Sequence, residues 1–297
     1  MSIESYLKAG KIASQVREDA RRKYHVGSTL LEVCEAAEAQ IRSMEAQPAF
    51  PVNASLNEIA AHYTAEPGDE TLVKEGDVLK IDIGVHVDGY IADTAVTVCY
   101  DPRHDQMVKA AEAALAEAVR IARTGTKASD IGKVIETIIG RMGYRPIQNL
   151  SGHSLQQYTI HAGKSIPNIW TIGSSFSLQT GEAYAIEPFA TTKDGSGVVH
   201  EGKVKNIFGI TSRKPSKDKD ADELLTVIWN RYRSLPFALR WLTNAYEEPR
   251  LRRLIDVLVK KKNVHSYPIL VEGREKTVVQ AEHTLIPADG GSTIITF

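Results

Sequence analysis

"LKIDIGVHVDGYIADTAVTV", residues 79–98, reads as two β-strands meeting at Asp88-Gly89. An Asp-Gly pair flanked by apolar alternation is a two-residue hairpin signal. With that turn, Val87 faces Tyr90, Gly84 faces Asp93 and Asp82 faces Ala95. Side chains alternate along a strand, so Asp82 and Asp93 lie on one face. They are diagonal cross-strand neighbours, about 7–8 Å apart at the backbone. Gly84 and Ala95 are small and are expected to leave room between the two acids. The opposite face carries Ile81, Ile83, Val85, Thr94 and Val96, which suits packing against a helix. Converging carboxylates are costly unless a basic side chain, a set of donors or a metal ion compensates them. The alternative is a pair of acids on the wetter face of an edge hairpin.

Composition frames what surrounds this hairpin. The chain has 297 residues, is 42% hydrophobic and carries a net charge of −1. It can bury a sizeable core as one large or two smaller domains, and it lacks the charge for bulk nucleic-acid or membrane binding. Its two cysteines, Cys34 and Cys99, are far apart, so neither a disulfide framework nor zinc-finger spacing is present. No apolar run is long enough to span a bilayer and no secretory leader is evident. A soluble, cytoplasmic protein is the expectation.

Apolar residues recur at helical spacing before residue 44, and Pro48 and Pro51 end that region. "FPVNASLNEIAAHYTAEPGD" (50–69) reads as a loop. Helical runs over roughly 104–123 and 128–142 precede a glycine-punctuated stretch, and short strands follow near 183–189 and 204–210. Residues 213–266 open on the polar "RKPSKDKDADE" and continue as helices. They hold 13 Lys+Arg against 7 Asp+Glu, a net of +6, which leaves −7 on the remainder. The division is therefore a body of 1–212 and 267–297 with a basic helical insert at 213–266. Its charge is either a solvated helix surface or a contact for an acidic partner.

Further ligand candidates lie downstream. "NLSGHSLQQYTIHAGK" holds His153 and His161, "EAYAIEPFA" places Glu187 at the end of an apolar strand, and "VVQAEHTL" puts Gln280 and Glu282 on one strand face. Each alone is weak. Together they supply a set of two Asp, a His and two Glu in strand or glycine-rich context. Hard oxygen ligands with an imidazole suit Mn, Fe, Co or Zn. Four carboxylates exceed what one divalent ion needs, and two ions sharing carboxylates fit better.

These stretches resemble type 2 methionine aminopeptidases in their order along the chain. "FPVNASLNEIAAHYT" resembles the family's substrate loop, "KIDIGVHVDGYIADTAVTV" its two-aspartate hairpin, and "SGHSLQQYTIHAGK" its two-histidine segment. "AIEPF" and "QAEHT" resemble its two glutamate strands. The insert stands where type 2 members carry an extra helical subdomain. The resemblance implies the α/β pita-bread fold, two similar halves cupping two divalent ions (Co, Mn, Fe or Zn). It implies Asp82, Asp93, His153, Glu187 and Glu282 as ligands, with Asp93 and Glu282 touching both ions. His62 and His161 would face the substrate, and Phe50, Ile160, Phe189 and Tyr267 would line a methionine pocket. Ala281 departs from the family, where an aromatic residue is common. The chain begins directly at its first helix, as in the short members.

The expected activity is removal of the initiator methionine from nascent chains with a small second residue. A hydroxide shared by the ions attacks the first peptide bond, His62 and His161 bond the oxyanion or the scissile amide, and Glu187 carries the proton. A monomer, with ribosome contact through the insert, completes the expectation. A proline-directed peptidase of the same fold and a metal-free binding protein are the rivals.

Overall fold

The computed structural model describes residues 2–172 and 176–297. At its centre is the expected hairpin, Val78–Val87 against Tyr90–Cys99, in the register that pairs Gly84 with Asp93 and Asp82 with Ala95. Asp88 and Gly89 both take positive φ, 53° and 84°, the twist that a two-residue turn needs between right-twisted strands.

One helix covers the apolar face of the hairpin, and a second packs beside it over the flanking strands Gln47–Pro48 and Asn53–Leu56. α1 (Ile3–Lys23) starts at Ser2, whose side chain accepts from the Ser5 amide, and α2 (Leu30–Ser43) starts likewise at Thr29 with the Glu32 amide. Such caps satisfy otherwise orphaned N–H groups. Ala9, Ala13 and Val16 of α1 share one buried cluster with Ile81, Ile83, Val85 and Val96. Small residues on the helix let it lie close to the strands.

The second half repeats this plan. α3 (Asp105–Ile121) and α4 (Ala128–Arg141) pack on an antiparallel sheet ordered Gly291–Ile294, His283–Ala288, Ala183–Ile186, Ser151–Leu155 and Ser165–Pro167. Ala114, Leu115 and Ile135 share a buried core with Tyr184, Ile186 and Leu285. The fold is α/β, two halves each with a helix pair outside and strands inside: the pita-bread arrangement. α5 (Lys219–Tyr232) and α6 (Glu248–Lys260) pack through Leu224, Ile228, Leu251 and Leu254 into a separate core. That core reaches Phe208 on the strand Ile207–Ile210, which pairs with Phe237–Ala238 and Val264–Tyr267.

The two halves meet along a seam of threonines. Thr284 Oγ1 accepts from the Asp93 amide at 2.8 Å and donates to the Asp93 carbonyl at 2.7 Å. Thr97 Oγ1 does the same with Gln280, at 2.9 and 2.6 Å, and Thr94 Oγ1 donates to the Glu282 carbonyl at 2.8 Å. Arg17 of α1, almost fully buried, donates to Thr94 Oγ1 and to the Thr296 carbonyl, both at 2.8 Å. Hydroxyls thus stand where backbone ladder bonds would otherwise run.

Two expectations change. Residues 50–69 are not simply a loop: Asn53–Leu56 pairs with Val78–Val87, and Ile59–Ala61 pairs with Leu270–Glu272. The chain turns between them at Asn57, φ 48°. Nor is the hairpin an edge. Asn53–Leu56 and Gln47–Pro48 flank one strand and the threonine seam flanks the other, so the wet-edge alternative for the two acids falls.

Candidate metal centre

The strands bring five side chains from four separate stretches to one cavity of about 340 Å³. Asp82 and Asp93 come from the hairpin, His153 from the strand Ser151–Leu155, and Glu187 from the break between Ala183–Ile186 and Phe189–Thr191. Glu282 comes from the link between Val278–Gln280 and His283–Ala288. Ligand atoms of Asp93, His153 and Glu282 lie within 4.8 Å of one another. His153 Nε2 is 3.6 Å from Asp93 Oδ2 and 3.7 Å from Glu187 Oε1. Gln280 Nε2 reaches toward both glutamates, 3.5 Å from Glu187 Oε2 and 3.4 Å from Glu282 Oε2.

The electrostatics of this cluster call for a cation. Burial pushes the Asp82 carboxyl up to about 7. Asp93, Glu187 and Glu282 are raised well above the usual carboxylate range, first by burial and then by neighbouring carboxylate charge, chiefly that of Asp82 on Asp93 and Glu187 and that of Asp93 on Glu282. Among the described residues no lysine or arginine pairs with any of the four. Lys80, on the same strand face two residues from Asp82, is the obvious basic neighbour. Its ammonium is buried and turned away, donating to the Asn57 carbonyl at 2.7 Å, and burial lowers it to about 7. Oδ1 of Asp82 and Oδ1 of Asp93 are buried without any hydrogen-bond partner. Buried polar atoms are almost always satisfied, so unpaired carboxylate oxygens beside an imidazole make a donor set that fits a divalent metal. Burial also holds His153 near 3, keeping it neutral as a ligand must be.

The other sequence candidates line the same cavity. His161 stands against His153, ring centroids 4.5 Å apart and edge-on. His62 takes φ 67°, and its Nδ1 is 3.2 Å from the Pro268 carbonyl. Tyr267 lies edge-on to His62 at 6.0 Å. Phe50, Ile160 and Phe189 form an almost fully buried apolar wall. The space opposite Asp93 is not free, however. A Cβ on Gly84 would fall 2.2 Å from the Phe50 ring, so Gly84 makes room for the aromatic wall. Residues missed from the sequence include Asn53, which faces Asp82 across the ladder, and Pro236, contributed by the basic insert. Asn53 had no local signal, because it opens the strand Asn53–Leu56, whose pairing with Val78–Val87 is set at long range. Pro236 had none either.

Ala281 points the other way, into the core with Leu115 and Val119. A cavity of about 260 Å³ lies beside it, so its small side chain leaves space on the α3 side.

The chain belongs to metallopeptidase family M24, whose model matches residues 4–210. Over 296 residues it is 46% identical to the methionine aminopeptidase of Pyrococcus abyssi, covering 100% of this chain and 99% of that one. Among solved structures, the methionine aminopeptidase of Thermotoga maritima is similar at TM-score 0.70 and 20% identity, covering 100% and 98% of the two chains. The structure of a thermophilic Arx1 is similar at TM-score 0.83 and 15% identity, covering 99% and 91%. The two structures speak to the fold alone.

Proposed function

We propose that the chain is a methionine aminopeptidase that removes the initiator methionine from nascent proteins whose second residue is small. The observation that carries this reading is the convergence of five ligand-type side chains, with orphaned carboxylate oxygens, beside an apolar pocket. Full-length likeness to a methionine aminopeptidase favours methionine over the proline-directed alternative. The intact donor set disfavours a metal-free binding role.

Asp82, Asp93, His153, Glu187 and Glu282 would hold two divalent ions, Co, Mn, Fe or Zn, with Asp93 and Glu282 shared. Four carboxylates then balance two double charges. When bound, such ions supply Lewis acidity, bringing a water's pKa from about 15.7 towards neutrality and polarising a carbonyl. The chain's own groups do the rest. Glu187, held by Gln280, takes a proton on its carboxylate and delivers it to the leaving amine. His161 donates to the carbonyl oxygen as charge grows there. His62 is pushed down to about 4 by burial and is therefore neutral. With Nδ1–H given to Pro268, its Nε2 is left as an acceptor, suited to the N–H of the scissile amide rather than to the oxyanion. Phe50, Ile160, Phe189 and Tyr267 receive the thioether, with sulfur–aromatic contacts.

The discriminating assay is Met-Ala-Ser against a Xaa-Pro peptide, with each ion restored in turn to stripped protein. Preferential cleavage of the proline peptide would overturn the assignment. Gly84→Ala is a sharper probe of the pocket. Displacing Phe50 should cost about 1–3 kcal/mol of stability and raise KM for Met-Ala-Ser more than it lowers kcat; an unchanged KM would remove Phe50 from the pocket.

Residues 213–266 are proposed as an inserted subdomain on the body formed by 1–212 and 267–297, supported by their separate core. A monomer is the proposed state. No helix among the described residues is long and apolar enough to cross a membrane, and the expected substrate argues for the cytoplasm. Ribosome contact through the insert is proposed in narrower form. Of the basic residues over 250–262, Arg250 and Arg253 already pair with Asp218 and Asp220, and Arg252 with Glu66 and Glu248, which leaves Lys260, Lys261 and Lys262 as the charges to test there. Neutralising these three lysines should reduce co-sedimentation with ribosomes; no change would sink the contact.

A further inference from the structure

Behind the substrate-facing wall is a buried ion pair for which the chemistry above has no use. Glu38 of α2 and Arg240 of the insert bond to each other with side chains only 2% and 3% exposed. They are 202 residues apart in sequence. Both also grip the backbone of the segment that carries Phe50 and His62. Arg240 Nη1 donates to Thr64 Oγ1 at 2.8 Å and to the Ala65 carbonyl at 2.9 Å. Glu38 Oε1 accepts from the Val52 amide at 3.1 Å, and Thr64 Oγ1 donates to the Val52 carbonyl at 2.7 Å. Trp241 Nε1 holds Glu38 Oε2 at 2.6 Å.

Val52 lies two residues after Phe50, and Thr64 two residues after His62. One ion pair therefore pins both arms of the segment that faces the substrate. His62 gives this mechanical meaning. Its φ of 67° is a conformation that side-chain-bearing residues rarely adopt, and it persists only where the surroundings over-determine it. Pro268 fixes its ring from one side, and the Thr64–Arg240 link fixes its backbone from the other.

We propose that Arg240 is a positioning residue. Through Thr64 and Glu38 it sets where His62 and Phe50 stand, so the 213–266 segment controls turnover and side-chain selectivity at a site it barely lines. This rests on the proposed roles of His62 and Phe50. The planar guanidinium holds Nη1 on Thr64 and Ala65 while Nη2 meets Glu38, whereas lysine keeps the charge beside Glu38 but not these fixed directions.

Arg240→Lys and, separately, Thr64→Val, which leaves the ion pair whole, are compared with the unsubstituted enzyme. Both are expected to lower kcat on Met-Ala-Ser by about 10- to 100-fold, the usual penalty for a misplaced group, with metal content unchanged. Preference for methionine over leucine at the first residue should narrow. In a His62→Ala background most of the Arg240→Lys penalty should vanish, because coupled residues are not additive. A lower melting temperature with unchanged kcat, or losses that multiply independently, would overturn the proposal. Amide exchange gives a reading free of catalysis: residues 59–65 should exchange faster in both variants while α6 does not, and unchanged exchange would also overturn it. Should the unsubstituted protein fail to cleave Met-Ala-Ser, the activity assignment falls alone, and the exchange result still decides the link.

Discussion

Glu282→Gln should bring Met-Ala-Ser hydrolysis down to background, leave the far-UV spectrum intact and raise the melting temperature of the metal-stripped protein. Loss of activity follows from removing a donor that faces Asp93 and His153 across less than 5 Å of space. The gain in stability follows from the repulsion among four buried acids. Their folded-state pKa values are raised, so between about pH 4, where an unfolded carboxyl titrates, and those raised values the folded state holds protons that the unfolded state releases. The stripped protein is therefore most stable at the acid end of that window and loses stability as pH rises through it. Replacing one acid by an amide should flatten that slope, and the variant's advantage should be larger at pH 8 than at pH 5. Metal reverses the order: saturation at 1,000-fold over Kd stabilises by about 4 kcal/mol, and most of that should be missing in the variant. Asp82→Asn is expected to lose activity in the same way. Full activity in either protein would refute the donor set.

His161→Ala should behave differently, with kcat falling by about 10²–10³, the range for loss of one donor to a developing oxyanion, while bound metal per chain stays the same. The distinction is geometric. His153 has the acids within 3.7 Å of its Nε2, whereas His161 touches the cluster through the His153 ring and stands open to the cleft. Measuring metal content by elemental analysis beside steady-state turnover separates the two. Equal loss of both would make His161 a ligand and displace it from its role towards the substrate.

How much of this could be read from the chain depends on the distance over which each feature is decided. The hairpin was legible because the Asp88-Gly89 turn fixes its register locally, and register then places Asp82, Asp93, Gly84 and Ala95 without further information. The downstream donors were visible as residue types in strand or glycine context, and likeness to a known family ordered them. Long-range decisions left no such trace. Asn53–Leu56 looked like a loop because its pairing comes from Val78–Val87 rather than from alternation of its own. Gly84 read as space between acids, although its partner is a ring from residue 50. The threonine seam and the Glu38–Arg240 pair join distant stretches, and nothing about an isolated threonine or arginine distinguishes a stitch from a surface residue.

The seam has a bearing on biosynthesis. Asp93 emerges long before Glu282, and the hydroxyls that join their two stretches come from both sides, so a fragment lacking the second half cannot gather the proposed donor set. A chain truncated before residue 282 would lack one of the proposed donors together with both bonds between Thr284 and Asp93.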